Sequence, residues 1–519
     1  MKPRCRARAI VGVLLCLAGF VLARGMRYRE TTVIVDAGGC RMVTDIVDSG
    51  SDATQGSVVL LHGLAANKKI MSYLAYGFAQ QNLRVFVPDL PGHGRTQGPF
   101  SFVRAETCVD SLVHELIARG AIDPARTILA GHSMGGAIAV RVGSRVPVAG
   151  VIAVSPAPMR PAHRIPAEMV LFARPPVVPA NTLVISGLWE PSMIRDAARD
   201  LLGGDAVTTG KYVLLPGATH VGLLFDRRVA RVAQEWAAGA LRLASDAPGP
   251  SSQVLVGSLA GLVGLLFLAG PFIRETLGMN SPRTDRWPES AEKPASGSES
   301  SSNPGTRSAT LRLLLETALA SLFGVIVLRF WNPLSFLRIF NGDYLAGFLL
   351  VTGFALLLLH RNSARMLWRH QNLGVLLAAA AAGMTLYLLV MGWLDVTLTE
   401  TWPSAARWAR FPVLLLAALV YLAAEELLLR RDFARGPTRR LVLALAARLV
   451  LWMPMLFGIF TLHSGAILLL LLAPYWAVFC LLHRLGMDVV RKDTGSTMAA
   501  ALFGAILLAG FCLVIFPVT

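Results

Sequence analysis

Residues 127–144 read TILAGHSMGGAIAVRVGS, and this stretch decides the fold of the first half of the chain. It begins with an apolar run and continues as Gly131-His132-Ser133-Met134-Gly135, a G-x-S-x-G pentapeptide, before a run that is compatible with a helix. A strand, a tight turn and a helix in this order raise a serine hydroxyl above the end of a sheet. Glycines are needed there because strand and helix pass close together. Ser133 is therefore the candidate nucleophile.

Four further motifs follow apolar runs that are predicted strands. They are Leu60-Leu61-His62-Gly63, Pro88-Asp89-Leu90-Pro91-Gly92-His93-Gly94, Gly187-Leu188-Trp189-Glu190 and Pro216-Gly217-Ala218-Thr219-His220. With the chain order serine, acid, histidine, these motifs resemble the α/β-hydrolase family over about residues 31–243. The resemblance implies an α/β fold and a serine hydrolase activity for this domain.

The resemblance also implies which side chains act. Serine is a poor nucleophile at neutral pH, so a base must accept its proton, and His220 is the candidate because histidine titrates near pH 7. An acid must orient the imidazole, and the family usually has aspartate where this chain has Glu190. Glu190 is the favoured acid, and Asp196 on the following predicted helix is the alternative. The predicted catalytic residues are therefore Ser133, His220 and Glu190.

A tetrahedral intermediate needs hydrogen-bond donors for its oxyanion. The resemblance implies the backbone N–H groups of Met134 and of Leu64, which follows the glycine of the first motif. Four other polar residues near the motifs are interpreted as loop architecture: His62, His93, His132 and Asp89. Neither a cofactor nor a metal is expected.

Residues 156–180 stand where the family inserts a cap. The stretch is short, rich in proline and partly apolar, which favours an open acyl pocket, with an ordinary surface loop as the alternative. The expected activity is hydrolysis of a carboxylic ester in a small-molecule or lipid-like acyl substrate. Peptidase, thioesterase and amidase activities stay open, because fold does not fix function. A non-catalytic receptor with a hydrolase fold is a further alternative.

The composition is that of a membrane protein. Of the 519 residues, 54% are hydrophobic, the mean hydropathy is +0.56, and the excess lies in the second half. Residues 9–23 are apolar and follow several basic residues, as in a signal sequence. Because arginines directly after residue 23 disfavour cleavage, residues 1–30 are predicted to be an uncleaved signal anchor, and residues 31–243 an exported domain.

Further apolar runs long enough to span a bilayer, which takes about 20 residues, follow that domain. They are residues 254–273, 311–330, 343–359, 373–394, 411–429, 441–462, 464–483 and 497–517. Residues 274–310, rich in Ser, Pro and Glu, are predicted to be a disordered cytoplasmic linker. Residues 311–519 are predicted to be a multi-spanning, all-α transmembrane bundle.

The distribution of Lys and Arg predicts the orientation. With the N-terminus in the cytoplasm, the connections 274–310, 360–372, 430–440 and 484–496, counted together with Arg312, carry 17 Lys or Arg, and the opposite connections carry four. This bias follows the positive-inside rule. It predicts a multi-pass plasma-membrane protein whose hydrolase-like domain lies outside the cytoplasm, with membrane lipids as partners. The basic connections account for much of the net charge of +17, so no nucleic-acid partner is predicted.

The exported domain contains two of the six cysteines, Cys40 and Cys108. A single disulfide between them is compatible with an oxidising compartment. The spacing alone does not predict it.

Glu425 and Glu426 lie within a predicted span, where carboxylates are costly and are usually paired or functional. The sequence EELLLR, which begins at Glu425, is similar to the E-E-x-x-x-R motif of the CAAX-protease and bacteriocin-processing intramembrane family, and His463 is a candidate for its second motif. Gly504 stands where the final histidine is expected, which argues against an active protease. An ion pair between Glu426 and Arg430 on one helix face is preferred. A peptidase-like or transport-type bundle with an appended hydrolase is the alternative.

Overall fold

The computed structural model describes most of the chain. The described residues are 3–23, 28–51, 54–161, 167–203, 210–244, 249–278, 304–368, 371–430, 436–462 and 473–519. The chain forms two compact units. The sheet unit comprises Leu17–Gly261, Gly392–Ser404 and Pro517–Thr519, and the helical unit comprises Met1–Cys16, Leu262–Met391 and Ala405–Phe516.

An eight-stranded sheet organises the sheet unit. Its strands are β1 (Arg29–Ala37), β2 (Cys40–Asp48), β3 (Gly56–Leu61), β4 (Leu83–Pro88), β5 (Thr127–His132), β6 (Gly150–Val154), β7 (Thr182–Gly187) and β8 (Lys211–Leu215). Their order across the sheet is β1-β2-β4-β3-β5-β6-β7-β8. The β1–β2 and β2–β4 pairs are antiparallel, and the neighbours from β4 to β8 are parallel. The α/β fold predicted for this half is confirmed.

The central parallel strands are buried on both faces. Every residue of β5, β6 and β7 is buried, which explains why these strands read as continuous apolar runs rather than as alternating ones. The first four residues of β1, at the sheet edge, are exposed. Because parallel strands present their carboxyl ends at one edge, the motifs after β3, β4, β5, β7 and β8 are gathered there.

The first seven described α-helices belong wholly or partly to the sheet unit, and four of them lie between its strands. In chain order they are α1 (Pro3–Ala23), α2 (Ser72–Ala79), α3 (Phe102–Ala118), α4 (Met134–Gly143), α5 (Ser192–Asp200), α6 (Arg227–Leu241) and α7 (Gln253–Thr276). Helices α1 and α7 each contribute residues to both units. The apolar residues of β3 to β8 pack against α2 and α6 to form the core on one face of the sheet.

The helical unit is built from apolar helices. They are α8 (Pro304–Phe330), α9 (Gly342–Leu359), α10 (Arg361–Trp368), α11 (Leu373–Thr397), α12 (Ala405–Trp408), α13 (Phe411–Leu428), α14 (Pro437–Leu462), α15 (Ala473–Thr494) and α16 (Thr497–Ile515). Helices α9, α13 and α16 supply much of its core, including the buried Phe348, Tyr421 and Phe503.

Eight described helices are long and apolar enough to cross a membrane. They are α1 and the helices at the predicted spans other than 464–483. Residues 464–472 lie outside the described residues, and the rest of that predicted span falls on α15, which continues to Thr494 and buries Arg484 and Arg491. Its bounds therefore differ from the prediction, because ion pairs inside the unit allow a charged helix to be buried.

The predicted linker also differs at its ends. Helix α7 continues to Thr276 and α8 begins at Pro304, so helical structure extends into the predicted range 274–310 from both sides. Residues 279–303 lie outside the described residues.

The sheet unit contains segments that the sequence assigned to the membrane bundle. Residues 517–519 belong to it: the Val518 N–H donates to the Gly92 carbonyl at 3.2 Å, and the Val518 carbonyl accepts from the Phe100 N–H at 2.7 Å. Residues 392–404, at the end of α11 and just after it, belong to it as well. Sequence patterns miss such contacts because they join residues hundreds of positions apart.

A disulfide joins Cys40 at the start of β2 to Cys108 in α3, with 5.6 Å between their Cα atoms. The two cysteines are 68 positions apart, so the bridge closes a long loop in the unfolded chain. It thereby reduces the conformational freedom of that state.

Replacing both Cys40 and Cys108 by serine is expected to lower the free energy of unfolding of the sheet unit by about 3 kcal/mol. Thermal unfolding of the purified full-length protein in detergent measures the change. Cys16→Ser, which removes a thiol that forms no disulfide, is the matched control. Equal unfolding temperatures for the double variant and the control would contradict the expectation.

Candidate active site

Ser133 stands on a sharp turn between β5 and α4. Its φ is 52°, a conformation that is costly for a residue with a side chain. The flanking glycines make the turn possible: a Cβ on Gly131 would lie 2.3 Å from the backbone of Gly135, and one on Gly135 would lie 2.4 Å from the Leu61 carbonyl oxygen. The Ser133 side chain stays partly exposed at the end of the sheet. This is the strand–turn–helix geometry that the sequence predicts.

Glu190 and His220 are in contact beyond the ends of β7 and β8. Nδ1 of His220 lies 2.6 Å from Oε1 of Glu190, and the two side chains are 7% and 0% exposed. The other carboxylate oxygen of Glu190 accepts a hydrogen bond from the Gly187 N–H at 2.7 Å. A carboxylate at Nδ1 keeps the proton on that nitrogen and leaves Nε2 as the basic one.

Asp196, the alternative acid, is exposed on α5. Among the described residues it has no hydrogen bond to His220, so the structure brings Glu190 rather than Asp196 to the imidazole. Within the same part of the chain, Ser133 and His220 form no hydrogen bond. His132 links the two residues: it directly precedes Ser133, and its Nε2 donates a hydrogen bond to the His220 carbonyl at 2.9 Å. In unliganded sites the bond between serine and histidine is often long and tightens with substrate.

Ser155, which sequence reasoning missed, completes the contacts of the acid. It follows β6 with a φ of 46° and is fully buried. Its hydroxyl bonds Oε1 of Glu190 and lies 2.8 Å from Nδ1 of His220. Because it shares the nitrogen that Glu190 occupies and is closed to solvent, Ser155 is suited to hold the pair and not to attack a substrate. A polar residue directly after a buried strand at this edge was the available signal.

The loop after β3, residues 62–68, lies beside Ser133. A Cβ on Gly63 would lie 3.1 Å from the Ser133 Cβ, so only a glycine lets the loop come so near. The backbone N–H groups of Leu64 and Met134 donate to no acceptor among the described residues. Two unused donors close to a candidate nucleophile have the composition of an oxyanion hole.

Buried polar side chains hold this β3 loop. His62 donates from Nδ1 to the Gly63 carbonyl at 2.8 Å and accepts from the Leu90 N–H at Nε2, at 2.9 Å. Burial lowers the pKa of His62 to about 4, so the ring is neutral and can accept. His93 accepts from the Ala65 N–H at 3.3 Å. These contacts agree with the loop architecture that the sequence suggests for both histidines.

Asp89 connects the β3 loop to the loop after β4. Its carboxylate accepts from the Lys68 N–H at 2.8 Å and from the Arg95 N–H at 2.9 Å. Asp89 thus holds two loops together, in agreement with its interpretation as a residue that organises the turn after its strand. His132 is likewise buried, and burial together with the neighbouring His220 lowers its pKa well below the usual value.

A comparison with known protein families finds a match for the part of the chain that contains most of the sheet. Residues 58–262 match the model of a family described as "Alpha/beta hydrolase family". This part of the chain has the alpha/beta hydrolase fold. The match begins in β3 and extends into α7, so it covers Ser133, Glu190 and His220.

Two curated relatives resemble parts of this chain. A "Monoacylglycerol lipase" of Mycolicibacterium smegmatis is 35% identical over 112 residues, which are 21% of this chain and 40% of that protein. A "Putative non-heme haloperoxidase" of Mycobacterium phage D29 is 32% identical over 118 residues, 23% of this chain and 39% of that protein. The chain thus spans about two fifths of the length of each of these relatives.

Among solved structures, the dienelactone hydrolase of Anabaena variabilis is 21% identical, with a TM-score of 0.33. The match covers 41% of this chain and 97% of that one.

The described part of residues 156–180 packs against the rest of the sheet unit. Leu171 is fully buried, and the ring of Phe172 packs edge-on against Phe102 at 5.2 Å between centroids. Arg160 and Ala173 form an isolated bridge. Residues 162–166 lie outside the described residues. The described part is a short irregular stretch with 3-10 helical residues at Ala167–Phe172, which are interrupted by a kink at Met169.

The carboxylates of α13 form a second polar cluster, in the helical unit. Glu425 binds Arg448 of α14 through two hydrogen bonds of 2.8 and 2.9 Å. Glu426, which is fully buried, binds Arg440 of α14 at 2.6 Å and also Arg484 of α15. The three arginines are buried. Each carboxylate is therefore neutralised by guanidinium groups on other helices.

This arrangement favours the structural interpretation of the two glutamates. Glu426 has partners on α14 and α15, so its pair with Arg430 stays a prediction. His463 lies outside the described residues, and no group of three His, Cys, Asp or Glu among the described ones is arranged to hold a metal ion. The arginine partners were missed although charged residues inside apolar runs are a signal for pairing.

Proposed function

We propose that this protein is a membrane-anchored serine esterase that cleaves acyl or lipid-like carboxylic esters. The observation that carries the proposal is the buried contact between Glu190 and His220 beside the glycine-flanked turn of Ser133. In this assignment Ser133 is the nucleophile, His220 the general base and acid, and Glu190 the acid that orients it. The backbone N–H groups of Leu64 and Met134 stabilise the oxyanion.

The reaction proceeds in two halves. Nε2 of His220 takes the Ser133 proton as Oγ attacks the ester carbonyl, and the negative oxygen is stabilised by the two N–H donors. Nε2 then protonates the leaving alcohol, and an acyl-enzyme remains. A water molecule, deprotonated by the same nitrogen, attacks the acyl carbonyl and releases the carboxylic acid and Ser133. Glu190 stabilises the imidazolium in both halves without taking its proton.

The membrane setting supports a lipid-like substrate. Eight helices in the described part of the chain are long and apolar enough to cross a membrane, so the hydrolase is held where amphipathic esters concentrate. One of its partial relatives is a "Monoacylglycerol lipase". The described part of residues 156–180 contains no large helical cap. An open site suits a substrate that a bilayer delivers.

We further propose that the hydrolase faces the extracytoplasmic side of the plasma membrane, with α1 as an uncleaved anchor. The excess of Lys and Arg in the opposite connections supports this orientation, and a disulfide such as Cys40–Cys108 persists in oxidising compartments. Residues 392–404 and 517–519 belong to the same unit as the hydrolase. An even number of crossings must therefore separate these segments, so we infer that α15 also crosses the membrane.

Fluorophosphonate labelling of membranes that contain the full chain tests the proposal. Wild type is expected to be labelled, whereas Ser133→Ala and His220→Ala are not, because the probe reacts only with an activated serine. Ser155→Ala is expected to keep labelling at Ser133, at a lower rate, because it removes a hydroxyl that holds Glu190 and His220 but leaves the nucleophile in place.

The outcomes separate the alternatives. Labelling that is lost in Ser155→Ala but kept in Ser133→Ala would move the nucleophile to Ser155. A folded wild type that stays unlabelled would favour the non-catalytic receptor. Biological activity that survives in Ser133→Ala but needs Glu425 and Glu426 would favour the peptidase-like or transport-type bundle.

A further inference from the structure

The segment 398–404 connects α11, an apolar helix, to α12, and it belongs to the sheet unit. Its sequence is LTETWPS. It contacts the β3 loop of the hydrolase, residues 62–68, which carries the proposed oxyanion donor Leu64. These contacts join residues more than 300 positions apart, and the ester hydrolysis proposed above does not by itself call for them.

The first set of contacts is made by Asn67. Its Nδ2 donates to Oγ1 of Thr399 at 2.9 Å and to the Glu400 carbonyl at 2.8 Å. Its Oδ1 accepts from the Glu400 N–H at 3.2 Å and also from the Lys69 N–H at 3.2 Å. The Asn67 side chain thus bonds both segments at once, and Asn67 is 7% exposed.

The second set is a buried ionic cluster. The carboxylate of Glu400 pairs with Nζ of Lys68 and lies 3.2 Å from Nε of Arg95. Lys68 also pairs with Asp45 at 3.0 Å. The side chains of Lys68 and Glu400 are 2% and 7% exposed, so water screens their attraction little. Neutralising one partner leaves the other charge buried.

The bonded residues lie very near the donor. Asn67 and Lys68 follow Leu64 by three and four positions. Ala65, which directly follows Leu64, has a φ of 60°, and a loop keeps such a costly conformation only when its surroundings hold it. His93 and Asp89 hold the loop from the sheet side, as described above. Glu400 and Thr399 hold its other end. An oxyanion donor acts only if it is fixed in place before the charge develops.

We propose that Glu400, with Thr399, is a positioning residue of the hydrolase, which fixes the β3 loop so that the Leu64 N–H is aimed at the oxyanion. The inference rests on the proposed esterase function. By this proposal the segment 398–404, which connects α11 to α12, is part of the active site. The turnover of the hydrolase then depends on a segment that lies far from its motifs in the sequence but belongs to the same unit.

Charge on Glu400 is part of this role. Burial and the neighbouring Asp89 carboxylate raise the pKa of Glu400 to about 7. The other charged groups that face Glu400 are Lys68 and Arg95, and Asp45 contacts Lys68. Assays are therefore run at about pH 8.5, where the carboxylate is ionised and pairs with Lys68 and Arg95.

The test uses the full-length protein in detergent micelles. Glu400→Gln keeps the size and the backbone bonds to Asn67 but removes the charge, and Thr399→Val removes one hydrogen bond to Asn67. Glu235→Gln, an exposed glutamate of α6, is the matched control. Active sites are titrated to completion with fluorophosphonate, and kcat and KM for a short p-nitrophenyl ester are measured per titrated site.

Glu400→Gln is expected to lower kcat per titrated site about tenfold to a hundredfold while KM changes less than about threefold, since a displaced donor weakens mainly transition-state binding. The rate of fluorophosphonate labelling falls with kcat, and the final extent of labelling is kept. Thr399→Val gives a smaller loss in the same direction, and the control matches wild type.

Two results would overturn the inference alone. In one, Glu400→Gln has the kcat of wild type per titrated site. In the other, the variant loses titratable sites while each remaining site turns over normally, which is the signature of a purely structural role. Wild type that is folded but never labelled would overturn the esterase function first, and the inference with it.

Discussion

Replacing Glu190 by glutamine is expected to lower kcat for ester hydrolysis by about 10³- to 10⁴-fold, or about 4 to 5.5 kcal/mol in the transition state. The amide has no charge to stabilise the imidazolium that forms on His220. Its NH₂ group also competes for Nδ1, which favours the tautomer that lacks a basic Nε2. The 2.6 Å contact between Glu190 and His220 makes both effects direct.

Asp196→Asn is the matched control, because Asp196 is exposed on α5 and is the alternative acid from the sequence. It is expected to keep kcat within about twofold of wild type. Steady-state hydrolysis of a p-nitrophenyl ester by purified protein measures both variants, with unfolding temperatures to show that each is folded. A larger loss in Asp196→Asn than in Glu190→Gln would reverse the assignment of the acid.

The second large effect is expected in the helical unit, on stability. Glu426→Gln is expected to reduce the free energy of unfolding by about 3 to 5 kcal/mol. The Glu426 carboxylate is completely buried and binds Arg440 and Arg484. Without its charge, the two buried guanidinium groups keep only partial compensation, from Asp488 of α15, which lies 3.0 Å from Nε of Arg440 and also binds Arg484.

Thermal unfolding in detergent measures this loss, with Glu275→Gln on an exposed position of α7 as the control. Fluorophosphonate labelling at low temperature is expected to persist in Glu426→Gln, because the glutamate belongs to a structural cluster and not to the esterase site. An unchanged unfolding temperature together with loss of a proteolytic activity would support the peptidase-like bundle instead.

The fold of the first half was predictable because its signals are local. The turn at Ser133 is decided by five adjacent residues, and each other motif directly follows an apolar strand. The order of these motifs along the chain was enough to name His220 as the candidate base and Glu190 as the favoured acid. The sequence left the choice between Glu190 and Asp196 open, because six positions separate them and only the path of the chain after β7 decides which reaches the imidazole.

The remaining features depend on contacts that no local pattern contains. Ser155 reaches Glu190 only because β6 and β7 are neighbours in the sheet. The bounds of the predicted span 464–483 differ from those of α15 because buried charges such as Arg484 are neutralised from α13. Apolarity alone therefore does not predict that the described helix continues to Thr494, where its charged side chains find partners inside the unit.

The contact between Asn67 and Thr399 also sets an order of events during synthesis. The two residues are 332 positions apart, and a ribosome that adds about 5 to 20 residues per second needs roughly 17 to 66 s to cover that distance. The sheet, the turn at Ser133 and the partners of His220 are all complete in the nascent chain before Thr399 exists. From the synthesis of His220 until that of Thr399, the domain has its nucleophile but lacks the last contact on its β3 loop. Biogenesis thus delays full assembly of the site until several apolar helices have followed it out of the ribosome.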